Sequence, residues 1–351
     1  MPPLSLEQPA DSLTAEGKLY EKLTDQRVRC FACGHRCVIF EGKRGICKVR
    51  FNDGGTLKVP YGYVAALQCD PTEKKPFFHV LPGSLALTFG MLGCDFHCAY
   101  CQNWDISQAI RDPEAGTDPV KISADRVIDT AQERKAKLVV SSYNEPLITA
   151  EWSQDIFERA RKKGFKTAFV SNGNATPEVL AFLRPHLDAY KVDLKSMRQE
   201  NYRELGGKLS AVLETIAQLW EQKIWVEIVT LVVPGFNDSD EELKETAAFL
   251  ASVSKNIPWH VTAFHKDYKM TDPENTDART LLRACRIGEE AGLNFVYAGN
   301  LPGRVEKYEN TFCPSCKKML VERVGYRIQQ NLVTPDGKCP HCSARVPGIW
   351  S

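Results

Sequence analysis

The chain reads as an α/β protein built on a full or partial (β/α) barrel, with a Cys-rich module before it and a metal-knuckle module after it. Three observations predict this. Short β-branched or apolar runs alternate about six times with longer helical stretches between residues 85 and 298, and strand–helix–strand repetition implies parallel pairing through right-handed crossovers. Eleven of the 13 cysteines fall into three clusters. One cluster precedes the alternating region, one follows its first strand and one closes the chain. Periodicity alone also fits a doubly wound open sheet.

Residues 1–27 form a tail of Pro, Ser, Glu and Lys with modest apolar content, and a short helix is expected over 13–23. The module over 28–80 carries Cys30, Cys33, Cys37 and Cys47 as C-x2-C-x3-C-x9-C, with Gly34, Gly42 and Gly45 free to turn tightly around a metal. Four thiolates complete the coordination of zinc or of an iron–sulfur cluster. Zinc is favoured, because a complete set requires no electron-transfer role. His35 reads as a solvated loop residue and Cys69 as a small buried side chain.

The alternating region, taken as 81–304, gives strands at 85–89, 137–142, 166–171, 189–194, 224–233, 259–264 and 294–298. Helices are expected between them at 124–135, 152–163, 177–183, 211–222, 240–254 and 278–291, with Cys285 in the core. Such barrels place their chemistry in the loops after the carboxyl ends of the strands. In the last module, 305–351, Cys313-Pro-Ser-Cys316 and Cys339-Pro-His-Cys342 stand 22 residues apart. These paired knuckles predict a zinc-ribbon or rubredoxin-like fold, with zinc favoured over iron and His341 a bystander. Metal binding would supply folding free energy that so short a segment lacks.

Composition narrows the function classes. With 45 basic and 44 acidic residues the net charge is +1, so no bulk field argues for nucleic acid or an anionic membrane. An N-terminal apolar signal and a run of 18 apolar residues are both lacking, so the expectation is a cytoplasmic protein without a membrane span. Clustered thiols in that setting predict metal binding rather than a disulfide framework.

The most informative stretch is Cys94, Cys98 and Cys101, spaced C-x3-C-x2-C directly after the first strand, with Tyr100 before the last cysteine. Three thiolates can hold three corners of a cubane and leave one iron without a protein ligand, where clusters normally take four cysteines. A structural zinc would fill all four positions.

This loop resembles the signature of the radical S-adenosylmethionine (SAM) superfamily, an aromatic residue before the third cysteine included. In that superfamily SAM chelates the open iron and is cleaved reductively to a 5′-deoxyadenosyl radical. The resemblance implies a [4Fe–4S] cluster and SAM as cofactors, and it favours a partial (β/α)6 barrel. Tyr143-Asn144-Glu145-Pro146 lies where the family has Gly-Gly-Glu-Pro. Glu145 would receive the SAM ammonium with Asn144 beside it, while the two missing glycines imply an altered backbone.

Ser171-Asn172-Gly173 looks like the family's Thr-Asn-Gly turn, with Ser171 and Asn172 suited to the SAM carboxylate or ribose. Asp193-Leu194-Lys195 is similar to a segment of the glycyl-radical-enzyme activase branch that contacts SAM. Strand alternation puts Asp193 and Lys195 on one face, so they would also pair with each other. His265 would lie near the ribose, and 232–235 would floor the adenine.

The further segments QNWDISQ, YNEP, VPGFNDS, FHKDYKM and VPGIW make residues 28–351 similar to the AmmeMemoRadiSam radical SAM proteins, relatives of pyruvate formate-lyase activases. Those are encoded beside Memo-like and AMMECR1-domain proteins, which become candidate partners together with a flavodoxin- or ferredoxin-like electron donor. A protein, peptide or small-molecule substrate is left open, as is a glycyl radical enzyme. A non-catalytic electron-transfer or zinc scaffold is the alternative of another class, and the three-Cys loop argues against it.

Overall fold

Eight strands make the central sheet of the protein, here a computed structural model describing residues 10–351. They are β1 (Ala66–Pro71), β2 (Leu85–Gly90), β3 (Leu138–Ser141), β4 (Lys166–Ser171), β5 (Ala189–Asp193), β6 (Trp225–Val232), β7 (Trp259–Ala263) and β8 (Val296–Gly299). Strands β2 to β8 run parallel and pair in strict chain order, and β1 lies antiparallel along β2. A doubly wound sheet would reverse its order at a switch point, so the sequential winding excludes that alternative. Among the described residues the edge strands β1 and β8 do not pair with each other.

The crossovers carry α1 (Ala124–Glu133), α2 (Ala150–Lys162), α3 (Pro177–Leu183), α4 (Leu209–Glu221), α5 (Asp240–Val253) and α6 (Ala278–Glu290). Each strand and helix expected in this region lies within two residues of its sequence-based bounds, and the short helices Trp104–Ser107 and Gln199–Leu205 were not expected. The helix starts follow from side-chain caps: Ser123, Ser239 and Asp277 accept from the backbone N–H groups of Arg126, Glu242 and Thr280. Inward faces such as Val139, Phe169, Tyr190, Ile228 and Trp259 fill the core, and Cys285 is fully buried in it.

The tail departs from expectation. Instead of one helix over 13–23 there are two short strands, Thr14–Glu16 and Tyr20–Lys22. The first pairs with Thr56–Pro60 and the second with Val28–Cys30. Gly17 lies against Val59 so closely that a Cβ there would stand 2.8 Å from Cγ1. A partner some 40 residues away for the first strand and a local hairpin for the second override the helical pattern. Residues 1–9 of the expected tail lie outside the described residues. Cys69 is a second correction: in the edge strand β1 it is half-buried rather than enclosed.

The last module is a meander of Thr311–Phe312, Met319–Val324 and Arg327–Asn331. It is anchored through the segment between β1 and β2. Phe78 and His79 donate their backbone N–H groups to Glu227 on β6, each at 2.9 Å, and Arg323 donates to the Phe78 carbonyl at 2.8 Å. Among the described residues no helix is long and apolar enough to cross a membrane.

Candidate functional site

The three-Cys loop leaves the carboxyl end of β2, and the loops after β3, β4 and β5 converge on it. Asn144 makes the first tie: its Oδ1 accepts from the Met91 N–H at 3.0 Å. Close approach here requires Gly90, because a Cβ would meet the Ser142 carbonyl at 2.6 Å. The missing family glycine has a visible consequence, since Tyr143 adopts the left-handed φ of 72° that glycine would take freely. Its hydroxyl accepts from Lys75 Nζ at 3.0 Å.

Glu145 lies beneath this loop and is buried. It accepts from the Ser171 hydroxyl at 2.7 Å, the Asn172 N–H at 2.8 Å and the Leu147 N–H at 3.1 Å. Burial, with Asp95 nearby, pushes its carboxyl up to about 8 against those hydrogen bonds. Asp95, fully buried beside Cys94, accepts from Asn172 Nδ2 at 2.7 Å and Asn174 Nδ2 at 2.9 Å. Sequence reading missed Asp95 and Asn174, which carry no motif of their own.

At the end of β5, alternation places Lys191, Asp193 and Lys195 together. Asp193 accepts from both lysines, from Lys195 at 3.4 Å. Burial would raise its carboxyl, yet the two ammonium groups hold it below the usual range. The Lys195 ammonium stands 5.8 Å from the centre of the Tyr100 ring. The expected Asp193–Lys195 pairing is therefore present. Lys191, two residues earlier on the same face, was legible from period two and overlooked.

Of these groups Tyr143, Lys191, Asp193 and Lys195 line one cavity of about 370 Å³, whereas Glu145, Ser171 and Asn172 do not line it. Cys98, Tyr100 and Cys101 line it together with Asp193, Lys195, Lys75, Lys191 and His260. Tyr326 of the last module also reaches it. A hollow of about 420 Å³ between β8 and the last module shares no lining residue with it. Burial pushes the Cys98 thiol up to about 12, with Lys195 pulling it down. The Cys101 thiol meets the Ser107 hydroxyl at 3.1 Å, and Cys94 Sγ accepts from the Phe96 N–H at 3.4 Å. Three buried thiols from one loop, two of them facing a cavity edged by a cation, suit a cluster that needs three thiolates and an open side.

His265 departs from this gathering. It lies in the loop after β7 with its side chain 54% exposed, 3.9 Å from Asp267, and does not line the cavity. At the other end of the chain, Cys313 and Cys342 are 3.6 Å apart, and Cys316 and Cys339 are 3.7 Å apart. All four Sγ atoms lie within 4.8 Å of one another, which fits a single tetrahedral ion held by about 2.3 Å bonds.

The family model of the radical SAM superfamily matches residues 89–250. An uncharacterized protein of Methanocaldococcus jannaschii is 35% identical over 334 residues, covering 94% of this chain and 98% of that one. The pyruvate formate-lyase-activating enzyme of Staphylococcus aureus is 23% identical over 223 residues, covering 55% of this chain and 84% of that protein. Among solved structures, a domain of the pyruvate-formate lyase-activating enzyme from Bacteroides vulgatus superposes with a TM-score of 0.42 at 21% identity, covering 46% and 98% of the two chains.

Proposed function

The chain belongs to the radical SAM superfamily, and from that premise we propose that it cleaves SAM reductively and uses the product to remove a hydrogen atom from a substrate in the cavity behind Cys98. When bound, the [4Fe–4S] cluster and SAM supply the one-electron cleavage that yields a 5′-deoxyadenosyl radical. The chain's own residues do the rest. Cys94, Cys98 and Cys101 hold three irons. Glu145 and Asp193 offer carboxylates to the ammonium of SAM, Lys195 meets its carboxylate, and Ser171 and Asn172 fix the loop around both.

The observation that carries this reading is a single cavity lined by Cys98, Tyr100 and Cys101 together with Asp193 and Lys195, the Lys195 ammonium 5.8 Å from the Tyr100 ring centre. A flavodoxin- or ferredoxin-like protein would donate the electron. The likeness to pyruvate formate-lyase-activating enzymes favours a second reading, in which the target is a glycine of a partner enzyme. Memo-like and AMMECR1-domain proteins are the partners this reading would test first.

The test is anaerobic incubation of reconstituted protein with dithionite and SAM, followed by chromatography for 5′-deoxyadenosine. The wild type should form it and Cys98→Ala should not. Equal yields, or none from either, would sink the proposal. Deuterated candidate substrates then identify the target by deuterium carried into 5′-deoxyadenosine.

A further inference from the structure

The N-terminal thiols were expected to hold zinc, but their geometry and position point elsewhere. Cys30, Cys33 and Cys47 are buried and Cys37 is half-buried. Among the described residues, the C-terminal quartet is the one group whose ligand atoms all close to within 4.8 Å. Neither the N-terminal four nor Cys94, Cys98 and Cys101 close into such a group. One tetrahedral ion with bonds of about 2.3 Å requires thiolates about 3.8 Å apart. A cubane binds each thiolate to a different iron and so spreads them. The cage also has a fully buried cation: Arg50 donates to Cys30 Sγ at 3.4 Å and pairs with Glu151. A hydrogen bond and a positive charge at that sulfur offset the negative charge of a thiolate-bound cluster.

The cage shares a wall with the three-Cys loop. Gly93, next to Cys94, faces Cys47, whose carbonyl would stand 3.2 Å from a Cβ there. Arg111 joins the Ile46 carbonyl at 2.6 Å to the Phe96 carbonyl at 2.9 Å. Gly34 donates to the Asn174 carbonyl at 2.8 Å. Asp95 spans the gap: one carboxylate oxygen is 3.9 Å from Cys94 Sγ and the other 4.0 Å from His35 Nε2. His35 lies between Cys33 and Cys37, and its Nε2 is buried without a hydrogen-bond partner.

The outer side of the cage is apolar and basic. Val38, Phe40 and Ile46 are 42%, 58% and 43% exposed; exposed Lys43 and Lys48 lie on the same segment with exposed Glu41, and Arg36 pairs with Glu178. Apolar contact with lysines on the same segment suits an acidic protein that must dock briefly.

We propose that Cys30, Cys33, Cys37 and Cys47 hold a [4Fe–4S] cluster that relays single electrons from an acidic flavodoxin- or ferredoxin-class donor, docked on the Val38–Phe40–Ile46 surface, to the cluster on Cys94, Cys98 and Cys101. This rests on the radical SAM reading above. One electron leaves the donor and takes the cage cluster from the 2+ to the 1+ state. The same electron passes to the second cluster, returning the cage to 2+. No bond or proton is exchanged.

Full-length protein is reconstituted anaerobically, and its iron, sulfide and zinc are counted beside low-temperature EPR. The wild type should hold about eight irons and eight sulfides. A triple variant, Cys94→Ala with Cys98→Ala and Cys101→Ala, should keep about four of each and a reducible signal that SAM does not alter. Zinc in its cage, or no iron left, overturns the relay.

A double variant, Cys33→Ser with Cys47→Ser, should lose about tenfold more of its 5′-deoxyadenosine rate with reduced flavodoxin than with dithionite. Phe40→Asp covers the case in which that variant misfolds. It should keep both clusters and slow flavodoxin-driven reduction by about tenfold. Flavodoxin-driven rates equal to the wild type also overturn the relay. The two possible failures separate: a wild type without iron at Cys94–Cys101 sinks the SAM reading, whereas one without iron only at Cys30–Cys47 sinks the relay alone.

Discussion

A carboxylate taken out of water must gather donors or give up its charge, and Glu145 gathers three while burial still holds its carboxyl near 8. Glu145→Ala would leave the Leu147 and Asn172 N–H groups buried without acceptors, at a cost of about 2–3 kcal/mol read by urea unfolding. Glu145→Gln keeps an acceptor oxygen, so its stability should stay within about 1 kcal/mol. Its SAM affinity, measured by calorimetry above pH 8 where the wild-type carboxyl is ionised, should fall about tenfold because the charge is gone. Unchanged affinity would exclude Glu145 from the ammonium site. Motif spacing made Glu145, Ser171, Asn172, Asp193 and Lys195 legible. Lys75 and His260 were not, because each reaches the site by tertiary packing; Asp95 and Asn174 lie inside or beside the recognised loops and were overlooked for want of a motif position. His265 failed for the converse reason: a shared position after a strand does not dictate where a loop side chain turns.

A strand–helix period is a local signal, and the strands and helices it announced obey it to within two residues at every boundary. The tail did not, because strands of two or three residues are made by their pairing partners. A short helix that the period never announced does the most for the three-Cys loop. Gln199–Leu205 ends on Gly206 in the left-handed conformation, and the His97 N–H donates to the Leu205 carbonyl at 3.0 Å. A Cβ on Gly207 would fall 2.2 Å from the Phe96 ring, which is itself buried and cannot swing away. Gly207→Ala should therefore push Phe96 and with it the backbone between Cys94 and Cys98. The expected outcome is a chain that melts within a few degrees of the wild type but loses most of the iron assigned to that loop. Full iron occupancy would show that the loop follows the cluster rather than the helix.

Across the whole molecule, the C-terminal module and the barrel are joined through a histidine that folding keeps neutral. His79 is fully buried, with Nδ1 2.6 Å from the Pro347 carbonyl and Nε2 2.6 Å from the Tyr297 hydroxyl. Burial brings it down to about 4, with Arg323 and His260 acting in the same direction and Glu227 and the Pro347 carbonyl opposing. An unfolded histidine takes up its proton near pH 6.5, while the folded one resists until about pH 4. Stability from this contact is therefore complete above pH 6.5 and is lost as pH falls toward 4, by roughly 3 kcal/mol over the window. His79→Gln cannot take up that proton, so its melting temperature should vary less between pH 7 and pH 4.5 than the wild type's. Hydrogen exchange in wild-type protein should rise first over residues 311–331 and 346–350, which dock on this segment. Tyr326 enters the cavity from that same module. Acid should thus loosen the Tyr326 side of the substrate site before it disturbs the cysteine loop, and equal pH slopes in wild type and His79→Gln would break that chain of inference.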